Sequence, residues 1–151
     1  MVTREEWRDL TYKKIKTIQR LIKDEEWEVT AYLMGYVLEC ALKAASCKAL
    51  RLDGYPPVKS RSGKEGTGFK THEFEQLLIV SGLSDIFGSL SATPAYSHWS
   101  DFTINYTGIW TTMRYEDVSA KFDEMTVREL AKNLYDDKDS IIETIKRNKR
   151  W

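Results

Sequence analysis

Histidine and cysteine each occur only twice in the 151 residues of this chain. That scarcity leaves no ligand set with a recognisable metal spacing, since a zinc site draws several His, Cys or carboxylate ligands at defined intervals. No metal and no cofactor are expected. Cys40 and Cys47 fall on one predicted helix, where about 1.5 Å of rise per residue puts them roughly 10 Å apart. That exceeds the ~7 Å Cα limit for a disulfide, so both read as small buried hydrophobes. No apolar run reaches the ~18 residues needed to span a bilayer. Met1-Val2-Thr3-Arg4-Glu5-Glu6 turns acidic at once, without a signal-peptide apolar region. The expectation is a cytoplasmic protein that makes no use of a membrane. Net charge is missing too: 23 Lys plus Arg balance 23 Asp plus Glu. A whole-molecule field that gathers nucleic acid is thereby excluded, although a local basic patch is not. Repeats and low-complexity tracts are absent. No serine sits in a nucleophile elbow, and Gly63-Lys64-Glu65-Gly66-Thr67-Gly68 lacks the order of a phosphate-binding loop.

What is present suits one domain over residues 1–151, large enough to bury roughly 70% of its unfolded surface without a staple. Trp7, Leu10, Ile15, Ile18, Leu21 and Ile22 form one stripe of a helix running from Thr3 to Lys23. Thr3 and Glu6 stand at capping-box spacing. Asp24 is placed to cap a second helix, Glu25 to Leu50, the most apolar stretch of the chain. Gly35 within it costs about 1 kcal/mol relative to alanine, which predicts close approach of another element. Asp53 to Gly68, with its glycines, prolines and charges, reads as an exposed flexible loop. Thr71 is expected to cap a third helix, His72 to Ser81, ended by Gly82, and Ser84 to open a short fourth through Leu90. Thr93 to Tyr106 reads as irregular, Trp110 to Tyr115 stays unassigned, and Thr126 is expected to cap one last long helix to Lys149. The fold class is all-α: an antiparallel bundle of four to five helices.

Tyr32, Gly35, Tyr36, Glu39 and Lys43 gather on the second helix by the three-and-four spacing. A buried Glu39 needs a partner. Lys43 is the local choice and Arg114 the distant one, and removing the carboxylate should cost about 1–3 kcal/mol if the partner is left unpaired. Two uses are open to this set. It is either a polar groove for phosphate, nucleotide or a partner, or a structural ion pair with tyrosine hydroxyls satisfied around it. His72 reads either as an acid, base or phosphate contact or as a packing residue. His98 reads as surface or packing. The basic run Lys146-Arg147-Asn148-Lys149-Arg150 suits a helix C-terminus.

The stretch Ala31-Tyr32-Leu33-Met34-Gly35-Tyr36-Val37-Leu38-Glu39-Cys40-Ala41-Leu42-Lys43-Ala44 resembles the signature helix of the HEPN family (higher eukaryotes and prokaryotes nucleotide-binding). Lys70-Thr71-His72-Glu73-Phe74-Glu75-Gln76-Leu77-Leu78 is similar to that family's threonine–histidine–acidic–leucine segment. Met113-Arg114-Tyr115 resembles the arginine–tyrosine element before its final helix. The order holds over residues 5–148.

The resemblance implies a HEPN-like helical bundle that works beside nucleotides, RNA or a nucleotidyltransferase-type partner, in toxin–antitoxin or defence settings, and that pairs as a homodimer. The aromatic cluster Trp99, Tyr106, Trp110 and Tyr115 gives the dimer a second motive, since aromatics are enriched at interfaces. Family members that cut RNA carry an arginine separated by four to six residues from a histidine on the final long helix. Here the corresponding windows hold Glu65, Gly66 and Thr67 before His72, and Ser91, Ala92 and Thr93 before His98. No catalytic residue is therefore assigned. The groove set carried forward is Tyr32, Tyr36, Glu39, Lys43, His72, Arg114 and Tyr115. The expected role is a non-catalytic or partner-dependent HEPN-like module. A ribonuclease with an atypical site built on His72 and Arg114, and a purely structural assembly module, are the alternatives.

Overall fold

The computed structural model describes residues 2–55, 72–88, 92–148 and 151. The elements run β1 (Val2–Thr3), α1 (Arg4–Lys23), α2 (Trp27–Leu50), β2 (Gly54–Tyr55), α3 (Phe74–Val80), α4 (Ser84–Phe87), α5 (Pro94–Thr103), α6 (Glu124–Ala131) and α7 (Ile141–Arg147). A 3-10 turn occupies Met113–Tyr115, and a π-helical turn, Lys132–Asp136, continues α6. The protein is mostly helical, and no described helix is long and apolar enough to cross a membrane.

α1 opens as its sequence dictates. Thr3 accepts from the Glu6 amide at 3.2 Å, and Glu6 accepts from the Thr3 amide at 2.7 Å, so two otherwise orphaned donors are satisfied reciprocally. α2 is apolar all round and accordingly central. It packs against α1, α3, α6 and α7, and Met34, Val37, Leu38, Ala41, Leu42 and Ala45 are wholly buried. Tyr106 is the hub on the far side. Its hydroxyl donates to the Ala31 carbonyl at 2.6 Å, and its ring contacts Phe74, Phe102, Trp110 and Phe122. Glu28, in the first turn of α2, accepts from the Val118 amide at 3.0 Å and ties the segment before α6 to the bundle.

Several expectations are corrected. The chain is not purely helical: β1 and β2 pair antiparallel, Val2 opposite Tyr55 and Thr3 opposite Gly54, and Gly54 and Tyr55 are buried rather than part of an exposed loop. The remainder of that loop, 56–68, lies outside the described residues, as does Thr71. Asp24 does not cap α2; it closes α1, its amide donating to Arg20. Glu25 then takes a left-handed φ of 58°, and α2 starts at Trp27. His72 precedes α3 instead of opening it, and α4 ends at Phe87. Thr93 to Tyr106 is not irregular. Thr93 caps α5 and Pro94 occupies its first turn, the position where a missing N–H costs nothing.

The single last helix is two. Asp123, not Thr126, caps α6, accepting from the Thr126 amide at 2.9 Å. The break falls where Asp137 accepts from the Asp139 amide at 2.9 Å, an Asx turn that offers the backbone an alternative to the helix. Ser140 then caps α7. The aromatic motive for pairing narrows as well, because Trp99 and Tyr106 are buried in the chain's own core, Trp110 is partly buried, and only Tyr115, 79% exposed, is fully at the surface.

Candidate functional site

The stripe Tyr32, Tyr36, Glu39 and Lys43 runs along one face of α2. Two segments distant in sequence cross it: His72 at the approach to α3, and Trp110 to Arg114 leading into the 3-10 turn. Together Tyr32, Tyr36, Glu39, His72, Trp110, Thr111 and Arg114 line a cleft of about 110 Å³. That is smaller than the ~300–1,000 Å³ that encloses a whole small-molecule ligand, so it suits a single group of a larger one.

Gly35 is what lets the wall come so near. A Cβ there would lie 2.4 Å from Trp110 Cζ3, so the indole lies directly on the α2 backbone. Tyr32 packs beside it, ring centroids 5.5 Å apart, and Phe74 stacks on it at 5.3 Å. The Trp110 indole N–H is buried and has no hydrogen-bond partner among the described residues.

Glu39 is the electrostatic centre. Its side chain is 6% exposed, and Oε1 meets Lys43 Nζ at 2.7 Å and His72 Nδ1 at 2.8 Å. The expected buried Glu39 with a partner is therefore present. The partner is Lys43, joined by His72, and not Arg114. Lys43 is itself buried, its ammonium 5.0 Å from the Trp7 ring centroid and 5.4 Å from that of Tyr55, so its charge is spread over aromatic faces. A carboxylate only accepts, so the proton between His72 and Glu39 sits on Nδ1. The ring is thereby oriented, with Nε2 left for other partners. Tyr36 lies lower on the stripe; burial first, then the neighbouring Cys40, pushes its phenol up to about 12. Burial likewise pushes the Cys40 thiol up to about 12.

Arg114 stands at the mouth. The neighbouring Tyr32 hydroxyl first, then the Tyr115 phenol, raises its guanidinium above its ordinary value. The guanidinium carbon also lies 5.0 Å from the Tyr115 ring centroid. Among the described residues no carboxylate comes within ion-pair distance of it.

Tyr32, Tyr36, Glu39, His72 and Arg114 thus meet in one cleft, with Lys43 beneath it and Tyr115 at its rim. Sequence reasoning missed the cleft roles of Trp110 and Thr111 and the aromatic cover that Trp7 and Tyr55 give Lys43. Gly35 signalled a close neighbour without saying which. His98 is elsewhere: Nδ1 meets Asn133 Oδ1 at 2.9 Å and Nε2 lies 3.5 Å from Asp137, holding α5 to the π-helical turn. Among the described residues no group of His, Cys, Asp or Glu is placed to hold a metal ion. Comparison with family models, curated proteins and solved structures finds no match for this chain.

Proposed function

We propose that the chain is a HEPN-like binding module for a phosphate-bearing ligand of the nucleotide or RNA class, acting alone or beside a nucleotidyltransferase-type partner chain. The observation that carries this reading is the division of charge in the cleft. Glu39 is neutralised from below by Lys43 at 2.7 Å, so its carboxylate does not consume Arg114. The cation at the mouth is left beside the Tyr32 and Tyr115 hydroxyls with no ion-pair partner among the described residues, and charge-assisted bonds from guanidinium to phosphate are among the stronger and more specific available. His72 Nε2, when the ring carries a second proton, donates to the same phosphate. The exposed Tyr115 ring offers a face on which a base can stack.

Calorimetric titration with AMP tests this. Arg114→Ala should weaken binding by about tenfold to a hundredfold, the range for one charged hydrogen bond, and His72→Ala should weaken it less. AMP binding that neither substitution alters, or no AMP binding at all, sinks the reading.

One observation favours a second reading, a ribonuclease with an atypical site. The Glu39–His72 contact fixes the imidazole with Nε2 free, as a general base or acid requires, and Arg114 shares the cleft. Loss of single-stranded RNA cleavage in His72→Ala, measured on gels, supports it; uncut RNA with the parent protein removes it.

A further inference from the structure

α1 carries a charge pattern that the cleft does not use. Between Asp9 and Asp24 the chain has five cations, Lys13, Lys14, Lys16, Arg20 and Lys23, and no carboxylate. In a chain with zero net charge that is a marked local excess. Lys13, Lys16, Arg20 and Lys23 recur at helical spacing, so they share one face, and all four are exposed. Among the described residues none of them lies in an ion pair. The stripe is not an isolated ridge. Gln19 and Lys23 also form the near wall of a groove whose far wall is the π-helical turn, with Lys132 and Tyr135, and whose floor is Ile22 and Ala131. Asp136 is the carboxylate on that wall, and Arg128 at its end is already held by Glu124 at 3.0 Å.

From this arrangement we infer that the α1 face is a track for the phosphate backbone of a single-stranded nucleic acid, with the groove beside Tyr135 accepting a base. From Lys13 to Lys23 the stripe is about 15 Å long, which at about 3.4 Å of axis per phosphate in one strand faces about four phosphates. Cations in a row with an aromatic ring alongside are the means by which single strands are held without sequence preference. A membrane surface fits less well. A helix that lies on lipid inserts apolar side chains, and no large hydrophobic is exposed from Lys13 to Lys23.

The inference rests on the RNA side of the proposed function but uses none of the cleft's residues, so the two can fail separately. The probe is a labelled RNA strand of about 12 nucleotides, followed by fluorescence anisotropy over a range of salt, with AMP titrated in parallel. About four backbone contacts predict a slope near −3 in log affinity against log salt. Lys13→Glu/Lys16→Glu/Arg20→Glu, and the milder Lys13→Gln/Lys16→Gln/Arg20→Gln, should weaken RNA binding by about tenfold or more and bring the slope to about −1. Both leave AMP binding as it was and, lying on an exposed face, leave the helical circular dichroism unchanged. RNA affinity and slope unaltered by either triple variant overturn the inference. So does capture on anionic phosphatidylserine vesicles without any RNA binding. Loss of AMP binding in Arg114→Ala with the RNA salt slope intact supports the α1 track, whereas AMP binding that ignores Arg114→Ala and His72→Ala beside a normal RNA response sinks the cleft reading alone.

Discussion

Replacing Gly35 by alanine sets two opposed effects against each other. Inside a helix alanine is favoured over glycine by about 1 kcal/mol. Against that, the new Cβ would sit 2.4 Å from Trp110 Cζ3 and 2.8 Å from Cε3 and Cη2, where carbon atoms ordinarily meet at about 3.5–4.0 Å. The indole would have to retreat by about 1 Å or more, and it has little room to do so. Phe74 stacks on it at 5.3 Å and Tyr106 meets it edge-on at 5.7 Å, while Tyr106 is itself pinned to the Ala31 carbonyl. Overpacking costs about 1–3 kcal/mol, and a rigid aromatic backstop favours the upper end. The net expectation is a loss of about 2 kcal/mol, or about 4–8 °C in Tm for a chain of this length.

A double-mutant cycle tests the cause as well as the size. With Trp110→Ala in place the obstacle is gone, and Gly35→Ala should then stabilise the protein by about 1 kcal/mol. The sign reverses, and the coupling between the two sites comes to about 3 kcal/mol, the upper range for residues in contact. Urea denaturation of all four proteins measures it. A Gly35→Ala protein as stable as its parent while Trp110 is present would refute the packing argument, and so would the same sign in both backgrounds. If the argument holds, the single variant should also lose AMP binding, since the displaced indole is a wall of the cleft.

Three further outcomes are expected. Glu39→Ala should cost about 3 kcal/mol, because it strands the buried Lys43 ammonium, and Lys43→Met added to it should restore most of that loss; equal stability of single and double variants in urea would contradict this. Ser140→Ala removes the hydroxyl that accepts from the Glu143 amide and should cost about 1 kcal/mol, read as a lower Tm; an unchanged Tm would show that α7 does not depend on its cap. Burial pushes Tyr36, Cys40, Tyr55 and Tyr135 up to about 12. The fold thus favours their neutral forms: the stabilisation is complete below their unfolded values, about 8.5 for Cys and 10 for Tyr, and is lost as pH rises toward 12. The urea midpoint should fall progressively above about pH 9, and a midpoint that climbs there would refute the assignment.

Local chemistry made part of this architecture legible. Thr3 and Glu6 announce a capping box, and the structure forms it. The unbroken apolar character of α2 announces a central helix, and the carboxylate within it announces a partner. Other local signals are equally present. Thr93 before Pro94 is a helix start, and Ser140 three residues before Glu143 has capping-box spacing, so α5 and the separate α7 were within reach of the same rules. What no local pattern supplies is the long-range pairing. The Tyr106 hydroxyl reaches a carbonyl 75 residues away, and His72 reaches Glu39 across 33. Nothing in the spacing of α2 names those partners. Glu25 shows the opposite limit: a residue without glycine's freedom holds a φ of 58°, because the α1–α2 connection is too short to turn otherwise.

The pair of Glu39 and Lys43 is the point at which fold and function pull apart. Two charges removed from water lose several kcal/mol of solvation each, and a well-packed apolar pair of similar volume would stabilise the bundle as well or better. Stability therefore does not account for an ion pair in the most buried helix of the chain. Orientation does. The same Oε1 that holds Lys43 also holds His72 Nδ1, and that bond sets which nitrogen of the ring is presented at the cleft. Lys43 sits against Glu39, Glu39 fixes His72, and the charge left at the mouth is that of Arg114. An apolar substitute for the pair would keep the helix and lose the orientation of His72 at the cleft.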